Sequence, residues 1–171
     1  PNAKEALAEI HREGIRTIML TGDNEKTAAA VAKEAGVSQY ISECLPEDKA
    51  TRIKELKAKY QSVAMIGDGI NDTPALAAAN VGIAMGNGTD AALETADIVL
   101  VKNDLSKIAR LIRLSKKMNR IIKQNIAFAI GMIIILIINN LLGNLSMTLG
   151  VIGHEGSTLL VILNGLRLLR G

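Results

Sequence analysis

Aromatic residues and cysteine are scarce in this sequence. The first shortage argues against nucleic-acid binding, and the second excludes an internal disulfide. There is no Trp, with only two Tyr and one Phe, and no run of Lys and Arg is interleaved with aromatic side chains. With a formal net charge of only +3, this composition lacks the basic, stacking surface of a nucleic-acid-binding protein, so we expect no nucleic-acid partner. The one cysteine, Cys44, cannot form an internal disulfide, which indicates a reducing compartment for the soluble part of the chain.

Charge is nearly missing from the last part of the chain. Residues 1–124 hold 18 of the 20 Lys and Arg and 16 of the 17 Asp and Glu, whereas residues 125–171 hold only Arg167, Arg170 and Glu155. We therefore expect a water-soluble domain followed by an unusually apolar region. The first residues have neither an initiator Met nor the basic-then-apolar order of a signal peptide, so the sequence is expected to be a fragment.

Helix and strand patterns alternate through the soluble part. Apolar residues at helical spacing and short apolar runs, with Pro or Gly at several boundaries, mark the elements. Helices are expected at 3–13, 25–35, 47–59, 73–79 and 90–94, and strands at 17–20, 40–42, 62–66, 81–84 and 98–101. This alternation predicts an α/β fold, a parallel sheet covered by helices on both faces, with ligands beyond the carboxyl ends of its strands.

After the soluble domain at 1–104, the pattern changes to a long basic helix and then to two apolar runs. We expect a connecting helix at 105–125 and a hairpin of two membrane spans at about 126–142 and 145–166, since a bilayer core needs roughly 20 apolar residues. Positive residues precede the first run and follow the second, so both ends are expected in the cytoplasm. The alternative, a buried core helix of a soluble protein, is disfavoured by the length of the first run and by the second run.

Two ionisable residues, His154 and Glu155, fall near the middle of the second run. A charge at that depth costs about 3 kcal/mol, so such residues normally face a cavity, a partner or a bound ion. Imidazole and carboxylate bind divalent transition metals, and Ser157 and Thr158 are the weaker candidates beside them. The alternative places His154 and Glu155 in a loop between two shorter spans, which would leave about 11 residues for the last span, too few to cross a bilayer.

The soluble domain contains the loop Gly-Asp-Gly-Ile-Asn-Asp at 67–72, directly after an apolar strand. Asp68 stands between two glycines that leave the backbone free for close approach, and one exposed carboxylate suits Mg²⁺ bound together with phosphate oxygens and water. Asn71 offers an amide to phosphate, and Asp72 can orient a cation or a lysine. Gly-Asp-Gly alone is usually a tight turn, but the longer motif running on through Thr-Pro-Ala-Leu is far more specific.

Two further segments fit a phosphoryl-transfer site, which needs a divalent cation, donors for phosphate oxygens and a nucleophile. Thr21, Gly22 and Asp23 follow a strand and precede a helix, where a hydroxyl and backbone N–H groups can cradle an anion. Alone they could be an ordinary helix cap. Lys49 begins a helix and can neutralise developing charge on phosphate, although a lysine taken singly is usually a solvated surface residue.

These motifs, at 19–24, 46–49 and 67–76, resemble the phosphorylation domain of P-type ATPases, which has a haloacid dehalogenase-like fold. The resemblance covers nearly the whole chain, because the two apolar runs correspond to the last two spans of the heavy-metal branch. It implies that Thr21 and Gly22 bind the phosphoryl group and that Lys49 stabilises it. It also implies that Asp68 binds Mg²⁺.

The resemblance extends to the remaining site residues and to the cargo. It implies that Asn71 and Asp72 complete the phosphoryl site. The segment His-Glu-Gly-Ser-Thr at 154–158 resembles the motif of the subgroup associated with Co²⁺ and variously Zn²⁺, Cd²⁺ or Fe²⁺, except that Ser157 replaces the usual Gly. The expected partners are therefore the lipid bilayer, a divalent metal ion and the remaining domains of a parent ATPase, in a multi-pass protein of the plasma membrane.

Several parts of a complete P-type ATPase are not found in this sequence. It contains no Asp-Lys-Thr-Gly-Thr segment with the phosphorylated aspartate, no Thr-Gly-Glu loop and no cysteine-bearing span, and ATP would be bound mainly by a domain outside this chain. We expect an ATP-driven transporter as the intact protein, with this fragment inactive alone. The alternatives are a membrane-tethered phosphatase of the same fold, whose two spans are only anchors, and a non-catalytic regulatory fragment.

Overall fold

The structure is a computed structural model that describes residues 3–102, 104–143 and 146–170. The chain divides into two compact units, Pro1–Arg110 and Leu111–Gly171, and each is described by itself. In the first unit helices and strands alternate, as the sequence predicts. The helices are α1 (Ala3–Arg12), α2 (Glu25–Ala35), α3 (Pro46–Lys59), α4 (Thr73–Ala78) and α5 (Asp90–Thr95), and the strands are β1 (Ile18–Leu20), β2 (Gln39–Ile41), β3 (Ala64–Gly67), β4 (Val81–Met85) and β5 (Ile98–Leu100).

The five strands form two groups, and within each group the paired strands run parallel. β1 pairs with β2, and β4 lies between β3 and β5. Within the described residues no strand pairs with the second edge of β1 or of β3. The predicted parallel α/β fold is confirmed, and the expectation of a single sheet is corrected, because β1 and β3 are not hydrogen-bonded neighbours.

The core of the first unit lies between α3, β3, α4 and α5. Its buried members are Ile53, Met65, Ala75, Leu76 and Ala92, and Leu20 of β1 packs against this cluster. Ala75 and Ala92 are fully buried, which lets their short helices approach the strands closely. The helices thus bring the carboxyl ends of β1 and β3 to one region of the domain.

Some boundaries differ from the predicted ones by one or two residues, for local reasons. The third strand begins at Ala64 instead of residue 62, because the Val63 N–H donates to Asn80 Oδ1 (3.0 Å) and not to a strand. The first strand begins at Ile18, and the Thr17 N–H donates to the Ser38 hydroxyl oxygen (3.4 Å) instead of to a strand. Side chains from distant parts of the chain thus set where the ladders start.

The described part of the second unit is helical, and many of its large apolar side chains are exposed. α6 extends from Ser106 to Leu141, and α7 (Met147–Gly165) is followed by a 3₁₀ turn at Leu166–Arg170. Two helical segments are long and apolar enough to cross a membrane, with mean hydropathies of 2.3 and 1.3, and 6% and 0% of their most apolar windows are buried. This exposure argues against the buried core helix of a soluble protein.

The expected division of this region into a connecting helix and two spans is only partly visible. α6 is unbroken from Ser106 to Leu141, so the position where a span would begin, 126, stays a prediction. The predicted loop at 142–144 and the predicted start of the second span at 145 involve Asn144 and Leu145, which lie outside the described residues. α7 continues without a break through 154–158, so the alternative of a loop at His154 is wrong.

Two hydrogen bonds and one close apolar contact join α6 and α7 among the described residues. Asn164 Nδ2 donates to Asn125 Oδ1 (2.8 Å), and Asn125 Nδ2 lies 3.4 Å from the carbonyl oxygen of Val161. Further along α7, a Cβ added to Gly153 would lie 3.1 Å from Leu136 Cδ2. Amide hydrogen bonds and a small residue are the usual means by which apolar helices associate in lipid, and together they set the register of this helix pair.

The packing of Leu136 against Gly153 can be tested by replacing Gly153 with larger residues. Because Leu136 presents the end of a flexible side chain, we expect Gly153→Ala to be tolerated and Gly153→Leu to separate the helices. The measurement uses a Cys44→Ala background with Asn125→Cys and Asn164→Cys, which can form a disulfide between the helices. Adding Gly153→Leu should lower the yield of this disulfide by at least about 5-fold relative to Gly153. Gly131→Leu on α6 is the matched control, because nothing lies within 4 Å of a Cβ added there. Equal yields for both Leu variants would contradict the packing.

Candidate active site

Asp72 is the one buried charged residue in the part of the chain that the structure describes, with 8% of its surface exposed. Its Oδ1 accepts a hydrogen bond from Lys49 Nζ at 2.6 Å. Its Oδ2 accepts weaker ones from the backbone N–H groups of Asp68 (3.3 Å) and Gly69 (3.4 Å). Both carboxylate oxygens are therefore engaged, one by an ammonium group and the other by the turn that carries Asp68.

The sequence around Asp72 explains why the turn closes so tightly. A Cβ added to Gly67 would lie 2.6 Å from Asp72 Cβ and 2.9 Å from its Oδ2, so only glycine fits there. A 3₁₀ turn at Ile70–Asp72 follows, in which Asp72 N–H donates to the Gly69 carbonyl (3.0 Å). α4 then begins with Pro74 in its first turn, where a missing N–H has no cost.

Asp68 lies at the edge of an open cleft of about 330 Å³. The cleft is also lined by Leu20, Lys49, Met65, Ile66, Gly67, Asp72 and Met85. The Asp68 side chain is exposed, and its carboxylate has no hydrogen-bond or ion-pair partner among the described residues. It is an anionic ligand whose backbone is fixed and whose oxygens are available.

These residues fit Mg²⁺, which favours one or two carboxylates completed by water and phosphate oxygens. Asp68 is the carboxylate that can bind it directly, because both oxygens of Asp72 are already engaged. Lys49 uses one of its three N–H groups on Asp72, so its other two N–H groups remain available as donors in the cleft. The arrangement can bind a cation and a phosphate oxygen side by side.

The segment of Thr21, Gly22 and Asp23 follows β1 and is closed by its own hydrogen bonds. Thr21 Oγ1 donates to Asp23 Oδ2 at 2.7 Å, and the Asp23 N–H lies 3.2 Å from the same hydroxyl. The Thr21 carbonyl accepts from Cys44 N (2.9 Å), and the Asp23 carbonyl accepts from Glu43 N (2.8 Å). The loop after β1 is thus held by the segment that follows β2. Asn24 then caps α2 through its side chain.

Glu25 is a residue of this region that sequence reasoning missed. It accepts hydrogen bonds from the hydroxyl groups of Tyr40 (2.7 Å) and Ser42, which join the start of α2 to the end of β2. The hydrogen bond from Ser42, followed by that from Tyr40, lowers the pKa of Glu25, and the same contact with Glu25 raises the pKa of Tyr40. No local pattern signals this contact, because its partners are 15 and 17 residues away.

The structure brings together some of the predicted site residues and not others. Lys49, Asp68 and Asp72 meet at one cleft, and Leu20 brings the end of β1 to it. Within the described residues, Thr21, Gly22, Asp23 and Asn71 are not in the lining of that cleft, and Asn71 is exposed on the turn. Sequence reasoning also missed the loop at 86–89, although two glycines directly after β4 could have signalled it.

His154 and Glu155 are both exposed on α7. The hydroxyl groups of Ser157 and Thr158 donate to the His154 carbonyl at 2.7 and 3.2 Å, so their protons are used within the helix and only their lone pairs remain available. Among the described residues no three His, Cys, Asp or Glu side chains cluster to hold a metal ion. A site at His154 would need ligands from outside this part of the chain.

The parallel α/β fold and the cleft of Asp68 and Lys49 are those of a haloacid dehalogenase-like phosphoryl-transfer domain. Comparison with known sequences supports this class. Residues 1–80 match the family of haloacid dehalogenase-like hydrolases. The chain is 62% identical over 170 residues to the zinc-transporting ATPase of Bacillus subtilis (strain 168), covering 99% of this chain and 27% of that protein. It is 52% identical over 170 residues to a probable cadmium-transporting ATPase of Staphylococcus aureus, covering 98% of this chain and 21% of that protein.

Comparison with solved structures agrees as well. A crystal structure of a zinc-transporting PIB-type ATPase in the E2.Pi state is similar with a TM-score of 0.92 and 43% identity, over 98% of this chain and 28% of that one. The chain belongs to the family of heavy-metal-transporting P-type ATPases and spans about a quarter of the length of these relatives. The family resemblance found in the sequence is confirmed, whereas the roles of single residues stay predictions.

The ion pair of Lys49 and Asp72 should contribute to stability. Their side chains are 19% and 11% exposed, and we expect a coupling free energy of about 2 kcal/mol in a double-mutant cycle of Lys49→Met and Asp72→Asn. Urea unfolding followed by tyrosine fluorescence measures it, because both tyrosines, Tyr40 and Tyr60, lie in the first unit.

A second ion pair on α3 provides the control for this cycle. Arg52 and Glu55 are 2.9 Å apart but 46% and 56% exposed, so a cycle with Arg52→Met and Glu55→Gln should give no measurable coupling. A coupling for Lys49 and Asp72 no larger than that of this surface pair would show that burial adds nothing at the cleft.

Proposed function

We propose that this chain is part of an ATP-driven exporter of a divalent transition metal that works through an aspartyl phosphate. The observation that carries the proposal is the Asp68 carboxylate, whose backbone is fixed, which has no partner among the described residues and which lies in one cleft with Lys49. A chain with this cleft and two apolar helices, related over its whole length to metal-transporting ATPases, fits a pump better than a membrane-tethered phosphatase.

In the proposed phosphoryl site each residue has a separate task. Asp68 binds Mg²⁺, which supplies positive charge for the phosphate oxygens. Lys49 places a second positive charge beside it, and Asp72 holds both Lys49 and the turn of Asp68 in place. Thr21 and Gly22 bind the phosphoryl group by hydrogen bonds, once the Thr21 hydroxyl has turned away from Asp23, and Asn71 donates its amide N–H to phosphate.

The phosphorylated aspartate and the ATP-binding domain are proposed to come from parts of the protein outside this chain. The sequence contains no Asp-Lys-Thr-Gly-Thr segment, and the chain spans only 27% of its Bacillus subtilis relative. The second edges of β1 and β3, without hydrogen-bonded partners among the described residues, offer a place for a further strand. That strand would end in the cleft lined by Leu20 and Asp68.

The transported ion is proposed to bind at His154 and Glu155, with Ser157 and Thr158 as weaker ligands. Imidazole and carboxylate suit Zn²⁺, Cd²⁺ or Co²⁺, and relatives of this chain are named for zinc and cadmium. The remaining ligands would come from spans outside this chain. We place residues 1–125 in the cytoplasm and the apolar helices in the plasma membrane, because Lys and Arg flank the apolar runs.

The role of Asp68 can be tested in the full-length protein. Asp68→Asn keeps the size of the side chain and removes its charge, so metal-stimulated ATP hydrolysis should fall by about 100-fold or more. Asp90→Asn, an exposed aspartate at the first residue of α5, is the control and should retain activity. Full activity of Asp68→Asn would contradict the proposed phosphoryl site.

The role of α7 in the cargo site is tested separately. His154→Ala and Glu155→Gln should each raise the concentration of Zn²⁺ needed for half-maximal stimulation of ATP hydrolysis by about 10-fold or more, because a ligand is lost. Ile152→Ala, on the same helix and 61% exposed, should leave it unchanged. Hydrolysis that keeps its metal response in all three variants would favour a phosphatase whose spans are only anchors.

A further inference from the structure

The loop at 86–89, between β4 and α5, lies against the backbone of Asp68. The Thr89 N–H donates to the Asp68 carbonyl at 3.1 Å. A Cβ added to Gly88 would lie 2.9 Å from the same carbonyl oxygen and 3.4 Å from Asp68 Cα. The loop therefore contacts the main chain of Asp68 so closely that a methyl group added to Gly88 would push the loop and Asp68 apart.

The opposite side of the same residue is held by the turn. Asp72 Oδ2 accepts from the Asp68 N–H at 3.3 Å, so Asp68 is bound through its N–H on one side and through its carbonyl on the other. Neither contact uses the Asp68 carboxylate. Two independent parts of the fold thus fix the backbone of Asp68 and leave its side chain available to the cleft.

The loop is itself anchored in the core. Thr89 caps α5, with Oγ1 lying 3.4 Å from the Ala92 N–H, and Ala92 is fully buried in the main hydrophobic cluster. At the other end, the Gly88 N–H donates to the Met85 carbonyl at the end of β4 (2.8 Å). The position of the Asp68 carbonyl is therefore set by a buried helix and a central strand.

We propose that the 86–89 loop is a positioning element for Asp68, and that Gly88 and the Thr89 N–H set the affinity of the Asp68 site for divalent cations. This inference rests on the proposed function, because it assumes that Asp68 binds Mg²⁺. The physical reason is that groups which orient a ligand carboxylate without touching the cation commonly change its affinity by about 10- to 100-fold.

Gly86, in the same loop, provides a matched comparison. A Cβ added there would lie 2.7 Å from the Leu100 carbonyl oxygen and 2.8 Å from that of Val101, as close a clash as at Gly88 but away from Asp68. Neither Gly86 nor Gly88 has a positive φ. Alanine at either position thus strains the loop by contact alone, and only at Gly88 does the strain reach Asp68.

The first experiment measures cation binding directly on the 171-residue chain in detergent. Free Mn²⁺ is followed by electron paramagnetic resonance, and Mg²⁺ is added as competitor. We expect Gly88→Ala to weaken Mn²⁺ binding by about 10-fold and Gly86→Ala to change it by less than about 2-fold. Urea unfolding followed by tyrosine fluorescence establishes that both variants are folded.

A second pair of variants separates the hydrogen bond from the helix cap. Thr89→Pro fits the observed φ of −68° but removes the N–H that binds Asp68, whereas Thr89→Ala keeps the N–H and loses only the cap. Binding should weaken in Thr89→Pro and persist in Thr89→Ala. In the full-length protein, Gly88→Ala should raise the Mg²⁺ concentration for half-maximal ATP hydrolysis while kcat at saturating Mg²⁺ changes much less.

Asp68→Asn distinguishes the failure of this inference from the failure of the proposed function. If Asp68→Asn binds Mn²⁺ as tightly as the unsubstituted chain, Asp68 is not the cation site and both proposals are wrong. If Asp68→Asn abolishes binding while Gly88→Ala matches the unsubstituted chain or Gly86→Ala, only the positioning role is overturned. Selective weakening in Gly88→Ala and Thr89→Pro would support it.

Discussion

The buried carboxylate of Asp72 is the constraint on which the cleft depends. A carboxylate that is 8% exposed must have its charge compensated, and it is compensated by Lys49 and by the backbone of the turn it belongs to. The charge of Asp72 and the shape of the cleft therefore depend on each other, because the groups that neutralise Asp72 also form the cleft. Gly67 is required for the same reason, since any side chain there would occupy the place of Asp72.

This arrangement divides two acidic residues of one loop into different roles. Asp72 is buried, paired and structural, whereas Asp68, four residues earlier, is exposed and has no partner among the described residues. A carboxylate that already accepts an ammonium group and two N–H groups has little capacity left for a cation, and one without partners has all of it. The sequence resemblance predicts both residues in the site, and their surroundings distinguish a carboxylate that is already paired from one that is available to a cation.

Much of this could be predicted from the sequence where the determinants are local. The apolar strands, the glycines around Asp68 and Pro46 at the start of α3 gave the elements and the candidate cation ligand. Contacts between distant segments could not be predicted, such as Glu25 with Tyr40, Asn125 with Asn164, and Thr89 with Asp68. Each joins residues between 15 and 39 positions apart, and no periodic pattern encodes which polar side chains meet. The division of the strands into two groups was missed for the same reason.

The free edges of β1 and β3 have a consequence for handling the protein. Each edge presents a short row of N–H and C=O groups without a ladder partner among the described residues, and Ile66, on β3, is 37% exposed. Such edges are templates for pairing with any extended chain. When the 171-residue chain is expressed by itself, copies should tend to pair edge to edge and precipitate, and a short peptide of strand-forming sequence should bind an edge and keep the chain in solution.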